Sequence, residues 1–463
     1  MTYDASRTFG RNLNKRCWAV VICLVIGITI CNFFEPYILN FKFLAGDNLN
    51  LQTGITKERI EAHHQPCSGI KERSSLVCEL TRKKGDFCDM KGDLRILGNS
   101  STIFMVSNEG ENLKTWEDSW HIKPYARKED SIAMGRVRTI RVRKTEVSKG
   151  SPICSRNYNN PAVLFSTGGY TRNHFHTFAD ILIPLYLTSI EFQGEVRFLI
   201  TDMRPLWIEK HQDVLLKLSN YQLIDIDQEK EILCFPRIIL GLKATDKELG
   251  INASQSSYTM KEFRQFLRNT YSLKKQSAIR LPQGVKGKRL RLLLVSRKKT
   301  RRLLNEGEVA VMAEGLGFDV LVEGLDSFES NTPELATEPR VAQLVNSVDV
   351  LLGVHGAGLA NMVFLPENAV VIQIVPLGEM EWMARTFFEE PARDMNLRHL
   401  EYRISPDEST ITQQFPEILK EAEAVKKKGW RAFRTVFMDK QDINVNISRF
   451  RNTLLKAYAM LES

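Results

Sequence analysis

The sequence predicts an α/β chain whose two doubly wound halves face each other across a cleft, behind one N-terminal membrane-spanning helix. Three observations lead there. Short, largely apolar runs such as "PAVLFST", "RLRLLLVS" and "AVVIQIVP" read as strands buried on both faces, as in a parallel sheet. Helical stretches alternate with these runs, giving the β-then-α-then-β order of parallel crossovers. A polar stretch with proline and glycine, "LKKQSAIRLPQGVKGK", separates two such series, and no repeat of fixed period joins them.

The chain has 463 residues, 43% of them hydrophobic, enough for two or three domains with real cores. Residues 17–34, "CWAVVICLVIGITICNFF", carry no charge and follow Arg7, Arg11, Lys15 and Arg16. As a helix they reach about 27 Å, the thickness of a thin secretory-pathway bilayer. The run exceeds the apolar core of a cleaved signal and lacks a small-x-small site, so a single-pass type II anchor is expected. The basic flank keeps residues 1–16 in the cytosol, and the rest then faces the lumen. Asn99, Asn252 and Asn446 fit glycosylation acceptors there. Five cysteines follow the anchor, Cys67, Cys78, Cys88, Cys154 and Cys234, and in an oxidising lumen at least some should pair. The net charge of +9 does not imply nucleic acid, because a lumenal domain does not normally meet any, and much of the excess sits in residues 286–302.

In order, residues 35–65 read as a stem and 66–275 as an acceptor-side α/β domain. Short alternating runs come first, then the strand "PAVLFST", a GG turn, and the strands "GEVRFLIT" and "YQLIDID" around a helix. Thr259 with Glu262 forms a capping box, and Met260, Phe263, Phe266 and Leu267 give that helix its apolar face. Residues 286–400 form the nucleotide-side domain: strand "RLRLLLVS", helix "NEGEVAVMAEGLG", strand "FDVLVEG", helix "PRVAQLVNS", and the strands from Val348 and at "AVVIQIVP". Residues 401–463 are expected to be a helical tail.

Two constellations could carry chemistry. Open parallel sheets bind ligands beyond the carboxyl ends of their strands, where glycines let backbone N–H groups approach an anion. "GVHGAGLANM" places His355, Gly356 and Gly358 at such an end. Arg297, Lys298, Lys299, Arg301 and Arg302 emerge at the neighbouring strand end, and guanidinium forks suit phosphate oxygens. Together they make a diphosphate pocket, although neither a P-loop nor a G-x-G-x-x-G occurs. In "NHFHTFAD", His176 and Asp180 share a helix face four residues apart, as a general base and its orienting partner would. Alternatives at these places are a structural His–Asp pair, a metal site of His174, His176 and Asp180, and a metal-binding role for "DID" at 225–227.

These residues carry a resemblance. "GGYTRNHFHTFADILIPLYLTS", "VSRKKTRRLLNE" and "GVHGAGLANMVFLP", in this order behind the anchor, are similar to plant members of glycosyltransferase family 61, over roughly residues 66–460. The resemblance implies a GT-B-like fold with two Rossmann-like domains and an inverting Golgi enzyme; because the arginines can do a divalent metal's work, neither a metal nor another cofactor is expected. The donor would be a UDP-pentose (arabinofuranose or xylose) and the acceptor xylan or a related glycan; a complex with other glycan-synthesis enzymes is compatible with it. By position it implies Asp180 as the base, oriented with His176. Donor contacts fall to Arg297, Arg301, Asn305, His355, Gly356, Gly358 and Asn361, with Glu381 a candidate for the ribose. Two positions depart from the family's pattern: Arg172 stands where glycine is expected and Ala360 where threonine is usual. A β-1,2-xylosyltransferase acting on N-glycan cores, and a non-catalytic glycan-binding or scaffold protein, share the same signature.

Overall fold

The computed structural model describes residues 75–80, 83–107, 119–147, 150–280, 289–325 and 337–462. The expected anchor, the stem and Cys67 lie outside them. Among the described residues no helix is long and apolar enough to cross a membrane.

The chain is a mixed α/β protein with two sheets. The first comprises β1 (Ser75–Glu79), β2 (Phe87–Leu97), β3 (Thr102–Ser107), β4 (Ser119–Ile122), β5 (Ile140–Glu146), β6 (Arg156–Asn157), β7 (Ala162–Ser166), β8 (Arg197–Thr201), β9 (Ile224–Asp225) and β10 (Ile232–Leu240). Its spatial order is β4-β5-β3-β2-β10-β7-β8-β9, with β1 on β2 and β6 on β10. The strands β10, β7, β8 and β9 run parallel, as expected for β7, β8 and β9. Next to them β2 is antiparallel to β10, which opens a wing of alternating strands. The reading of the sequence missed β10, because Pro236 interrupts it. The ladder absorbs that proline at a register shift between Phe235 and Arg237, where its missing N–H costs no pairing. The expected strand "YQLIDID" shrinks to two residues, since Asp225 Oδ1 accepts the Asp227 N–H at 3.1 Å and turns the chain.

The second sheet is wholly parallel, in the order β12-β11-β13-β14-β15, from β11 (Leu290–Val295), β12 (Phe318–Glu323), β13 (Val350–Val354), β14 (Val370–Val375) and β15 (Arg398–Arg403). Leu294, Leu352, Ile372 and Leu400 lie in one row across it. β13 and β14 are buried throughout, and so lack polar alternation. The expected start of the helical tail at 401 falls inside β15. This edge strand is only half-buried and carries charges, which hid it in the sequence. Asp349, the polar interruption before β13, is fully buried: Oδ1 accepts Lys275 Nζ (2.6 Å) and Ile279 N, and Oδ2 accepts Arg291 N, fastening the connecting segment to the sheet.

Helix Met260–Thr270 starts at the expected capping box and buries its expected apolar face. It also buries Arg264, whose guanidinium donates to the carbonyls of Val363, Leu365 and Met395. Val363 and Leu365 lie near the end of the turn that follows His355, and Met395 at the end of the helix Glu390–Asp394, where carbonyls lack partners within their own segment. Two disulfides, Cys78–Cys88 and Cys154–Cys234, bear out the expectation that some cysteines pair. Asn99 and Asn446 are exposed, and Asn252 is half-buried with its amide donating to Asp246 Oδ1.

Candidate active site

At the carboxyl edge of the first sheet the chain leaves β7 through Gly168 and Gly169. A Cβ on Gly168 would lie 2.3 Å from the Arg136 carbonyl oxygen. Gly169 sits at φ +54°, and a Cβ there would be 2.4 Å from the Tyr125 ring. Only glycine fits this turn. Asn173 then caps a helix, its Oδ1 accepting from Phe175 N and His176 N. The helix widens into a π-turn over Thr177–Leu182, where Ile183 N bonds to Phe178 O. Pro184 explains the widening: it has no N–H for the Asp180 carbonyl, and its ring crowds that carbonyl.

The π-turn delivers Asp180 into a closed polar nest. Its carboxylate, 0% exposed, accepts Arg127 Nε at 3.0 and 2.9 Å, Arg127 Nη2 at 2.8 Å and the Tyr125 hydroxyl at 2.8 Å. It also meets His176 Nδ1 at 3.0 Å. Arg127 in turn pairs with Glu248, and Glu248 with Lys84. Burial alone would raise the Asp180 pKa, but the His176 hydrogen bond and the Arg127 charge outweigh it and hold the group at about 2. Among these partners the buried carboxylate is held in its ionised form. His176 is the group with an open face, its side chain 20% exposed, and Asp180 fixes its tautomer by receiving the Nδ1 proton. Nε2 is the ring nitrogen that Asp180 does not engage.

At the carboxyl edge of the second sheet, β13 ends on His355. This ring is 2% exposed, and burial followed by the charges of Arg301 and Arg297 pushes its pKa well down. Gln373, buried in β14, donates to His355 Nδ1 at 2.6 Å and accepts from His399 Nε2 at 2.8 Å. His355 is therefore a neutral imidazole with its proton on Nε2, a donor for an anionic oxygen. Arg301 Nη1 donates to the His355 carbonyl at 2.6 Å, and Arg301 itself is at φ +52°, a left-handed conformation that costs a non-glycine residue of order 1 kcal/mol. Gly356 is where the guanidiniums press closest: a Cβ would stand 2.5 Å from Arg297 Nη1 and 3.4 Å from Arg301 Nη1. A Cβ on Gly358 would come 3.0 Å from Val295. Two guanidiniums, a bare backbone and one N–H donor thus converge, the chemistry of a diphosphate cradle.

The two edges meet. His174 Nε2 bonds Asn361 Oδ1 at 3.0 Å, and Asn361 Nδ2 bonds the Gly358 carbonyl at 2.9 Å. Phe175 packs on Phe387 and Phe388, and Phe388 packs edge-on against His355. His174 and His176 consequently point to different partners, so a shared metal position with Asp180 is not formed. Asn361, 1% exposed, joins the two edges. The Asn305 amide pairs both ways with the Val445 backbone, at 2.9 and 3.1 Å, and ties down the C-terminal segment. Asn305→Ala is expected to cost about 1–3 kcal/mol, read as a Tm loss of a few degrees, with donor KM within about twofold of wild type. Glu381, itself exposed, opens a short helix just past β14. Of the "DID" acids, Asp227 accepts from Thr201 Oγ1 and Asp202 N and pairs with Arg138.

The model of the family described as Glycosyltransferase 61 matches residues 175–372, which contain both edges of this site. A β-1,2-xylosyltransferase of rice (Oryza sativa subsp. japonica) is 36% identical over 403 residues, 83% of this chain and 84% of the relative. The chain belongs to glycosyltransferase family 61. An α-1,3-arabinosyltransferase of rice is 40% identical over 401 residues, 86% of this chain and 67% of that longer protein. A xylan glycosyltransferase of Arabidopsis thaliana is 34% identical over 474 residues, 97% and 93% of the two chains. The molecule is a glycosyltransferase. Sequence reasoning missed several residues of this glycosyltransferase's site: Tyr125, Arg127, Glu248 and Gln373. Gln373 had a signal, a lone amide inside the apolar run "VVIQIV", where a buried polar group demands partners. Tyr125 and Arg127 had none, since "KPYAR" shows no periodicity and its partner lies more than fifty residues away.

Proposed function

We propose that this glycosyltransferase transfers a pentose, arabinofuranose or xylose, from a UDP-sugar to a xylan-type polysaccharide, with inversion. The observation that carries this reading is the partly exposed His176–Asp180 dyad, on a sheet edge that the His174–Asn361 hydrogen bond joins to the edge carrying Arg297, Arg301 and His355. His176 takes the proton of the acceptor hydroxyl as its oxygen attacks the anomeric carbon. The bond from that carbon to the diphosphate oxygen breaks on the far side, and the charge arriving on UDP is received by Arg297, Arg301 and the His355 N–H. A single in-line displacement inverts the anomeric centre. Donor and acceptor classes rest on what the relatives are named for: α-1,3-arabinosyl and β-1,2-xylosyl transfer, and xylan.

Within this reading the two sheets are the facing domains of a GT-B-like enzyme, Glu381 is within the donor side, and the guanidiniums do the work of a divalent metal. Residues 17–34 anchor it in the Golgi membrane as a type II protein, and the two disulfides suit an oxidising lumen. Asn99, Asn252 and Asn446 are its glycosylation sites. The test offers UDP-xylose and UDP-arabinofuranose with xylo-oligosaccharides to the lumenal portion, following product mass with and without EDTA. One donor should yield a pentose adduct whose rate EDTA leaves unchanged. Transfer only to an N-glycan core would move the acceptor, and UDP binding without transfer to either would make the protein a scaffold.

A further inference from the structure

The first sheet's edge holds a second cationic group, distinct from the diphosphate cradle. Arg136, Arg172 and Arg204 come from three segments, each fastened to the Thr167–Gly169 turn. The Arg136 carbonyl covers Gly168, Arg172 follows Thr171, whose hydroxyl bonds Thr167 O, and Arg204 N donates to Thr167 Oγ1 at 3.1 Å. Burial, then the charges of Arg172 and Arg136, lower the Arg204 pKa, so the three charges lie within electrostatic reach of one another. Among the described residues none of them forms an ion pair. Asp202 offsets part of the charge on Arg204, while its Oδ2 also accepts from Ser166 Oγ and Arg138 N. Asp130 accepts from Tyr170 and caps a helix, and Asp227 pairs with Arg138. Three cations against one nearby carboxylate leave a net positive charge, and an anion placed among them relieves their mutual repulsion.

We infer that Arg136, Arg172 and Arg204 form an acceptor-side subsite for the carboxylate of a uronic acid carried on the acceptor glycan. This rests on the proposed glycan acceptor. The group lies on the side of the base: the Arg136 guanidinium stands 5.6 Å over the Tyr170 ring, and that ring lies 4.7 Å from the His176 imidazole. His176 must face the attacking hydroxyl, so cations this close to it face the acceptor, whereas the donor diphosphate has its own cradle on the other sheet. Tyr170 offers a ring face for the sugar between hydroxyl and carboxylate.

Calorimetric titrations of the protein with UDP present, using xylotetraose and xylotetraose bearing one glucuronic acid, test it. The acidic ligand should bind about tenfold tighter, a preference that falls toward unity in 0.5 M salt and in an Arg136→Ala/Arg172→Ala double variant. Equal affinities in the wild type, or a tenfold preference surviving in the folded double variant, would overturn the inference. Assaying transfer to the same two ligands separates it from the functional reading. Acidic preference in binding with no sugar transferred leaves the subsite standing and removes the transferase assignment of acceptor; transfer without preference does the reverse.

Discussion

Replacing His176 with alanine is expected to lower kcat for sugar transfer about 10³-fold, with donor KM changed by less than about threefold. The expectation follows from where the proton can go. Asp180 is fully enclosed by Arg127, Tyr125 and His176, and a carboxylate held at about pKa 2 is a poor acceptor for a hydroxyl proton. His176 is partly exposed, and its Nε2 is the nitrogen that Asp180 does not engage. Asp180→Asn should cost less, about 10–100-fold. It keeps the shape but removes the charge that stabilises the imidazolium, and it leaves Arg127 partly uncompensated. If Asp180 were itself the base, the order of the two effects would be reversed. Steady-state kinetics on both variants reads the difference directly.

Arg301→Ala is expected to weaken UDP binding at least tenfold and lower kcat by a further 10²-fold or so. Two losses combine in it. The guanidinium is one of two aimed at the bare Gly356 backbone, and it also anchors the His355 carbonyl at 2.6 Å, so its removal loosens the N–H donor. Arg301→Lys should rescue little, because an ammonium cannot bond the carbonyl and a phosphate oxygen in the same plane. The strained backbone at Arg301 fits this role, since a residue held at φ +52° is kept there by what surrounds it. Donor KM and kcat, measured on protein shown to be folded, check the expectation.

The parts of this molecule legible in its sequence are those fixed by burial on both faces or by local spacing. β11, β13 and β14 could be read because every residue along them meets apolar neighbours, and the capping box at Thr259 because its partners are three residues apart. Arg297, Arg301 and His355 were legible since polar residues at the ends of apolar strands have few structural reasons to be there. β15 escaped because an edge strand is half solvated, and β10 because a bulge makes room for Pro236. Spacing shows that His176 and Asp180 meet, but not which of the two is sealed off. That depends on Arg127 and Tyr125, brought in by the antiparallel wing from far along the chain. The partner of Asn305 was hidden in the same way, since Val445 lies 140 residues on.

The central claim is a division of labour, with the His176 edge serving the acceptor proton and the Arg297–Arg301–His355 edge holding the nucleotide diphosphate. Calorimetric titration of UDP into wild type, His176→Ala and Arg301→Ala tests it most directly. Affinity within about threefold of wild type for His176→Ala, and at least tenfold weaker for Arg301→Ala, is the predicted result. Full UDP affinity in a folded Arg301→Ala protein, or its loss in His176→Ala, would contradict the account.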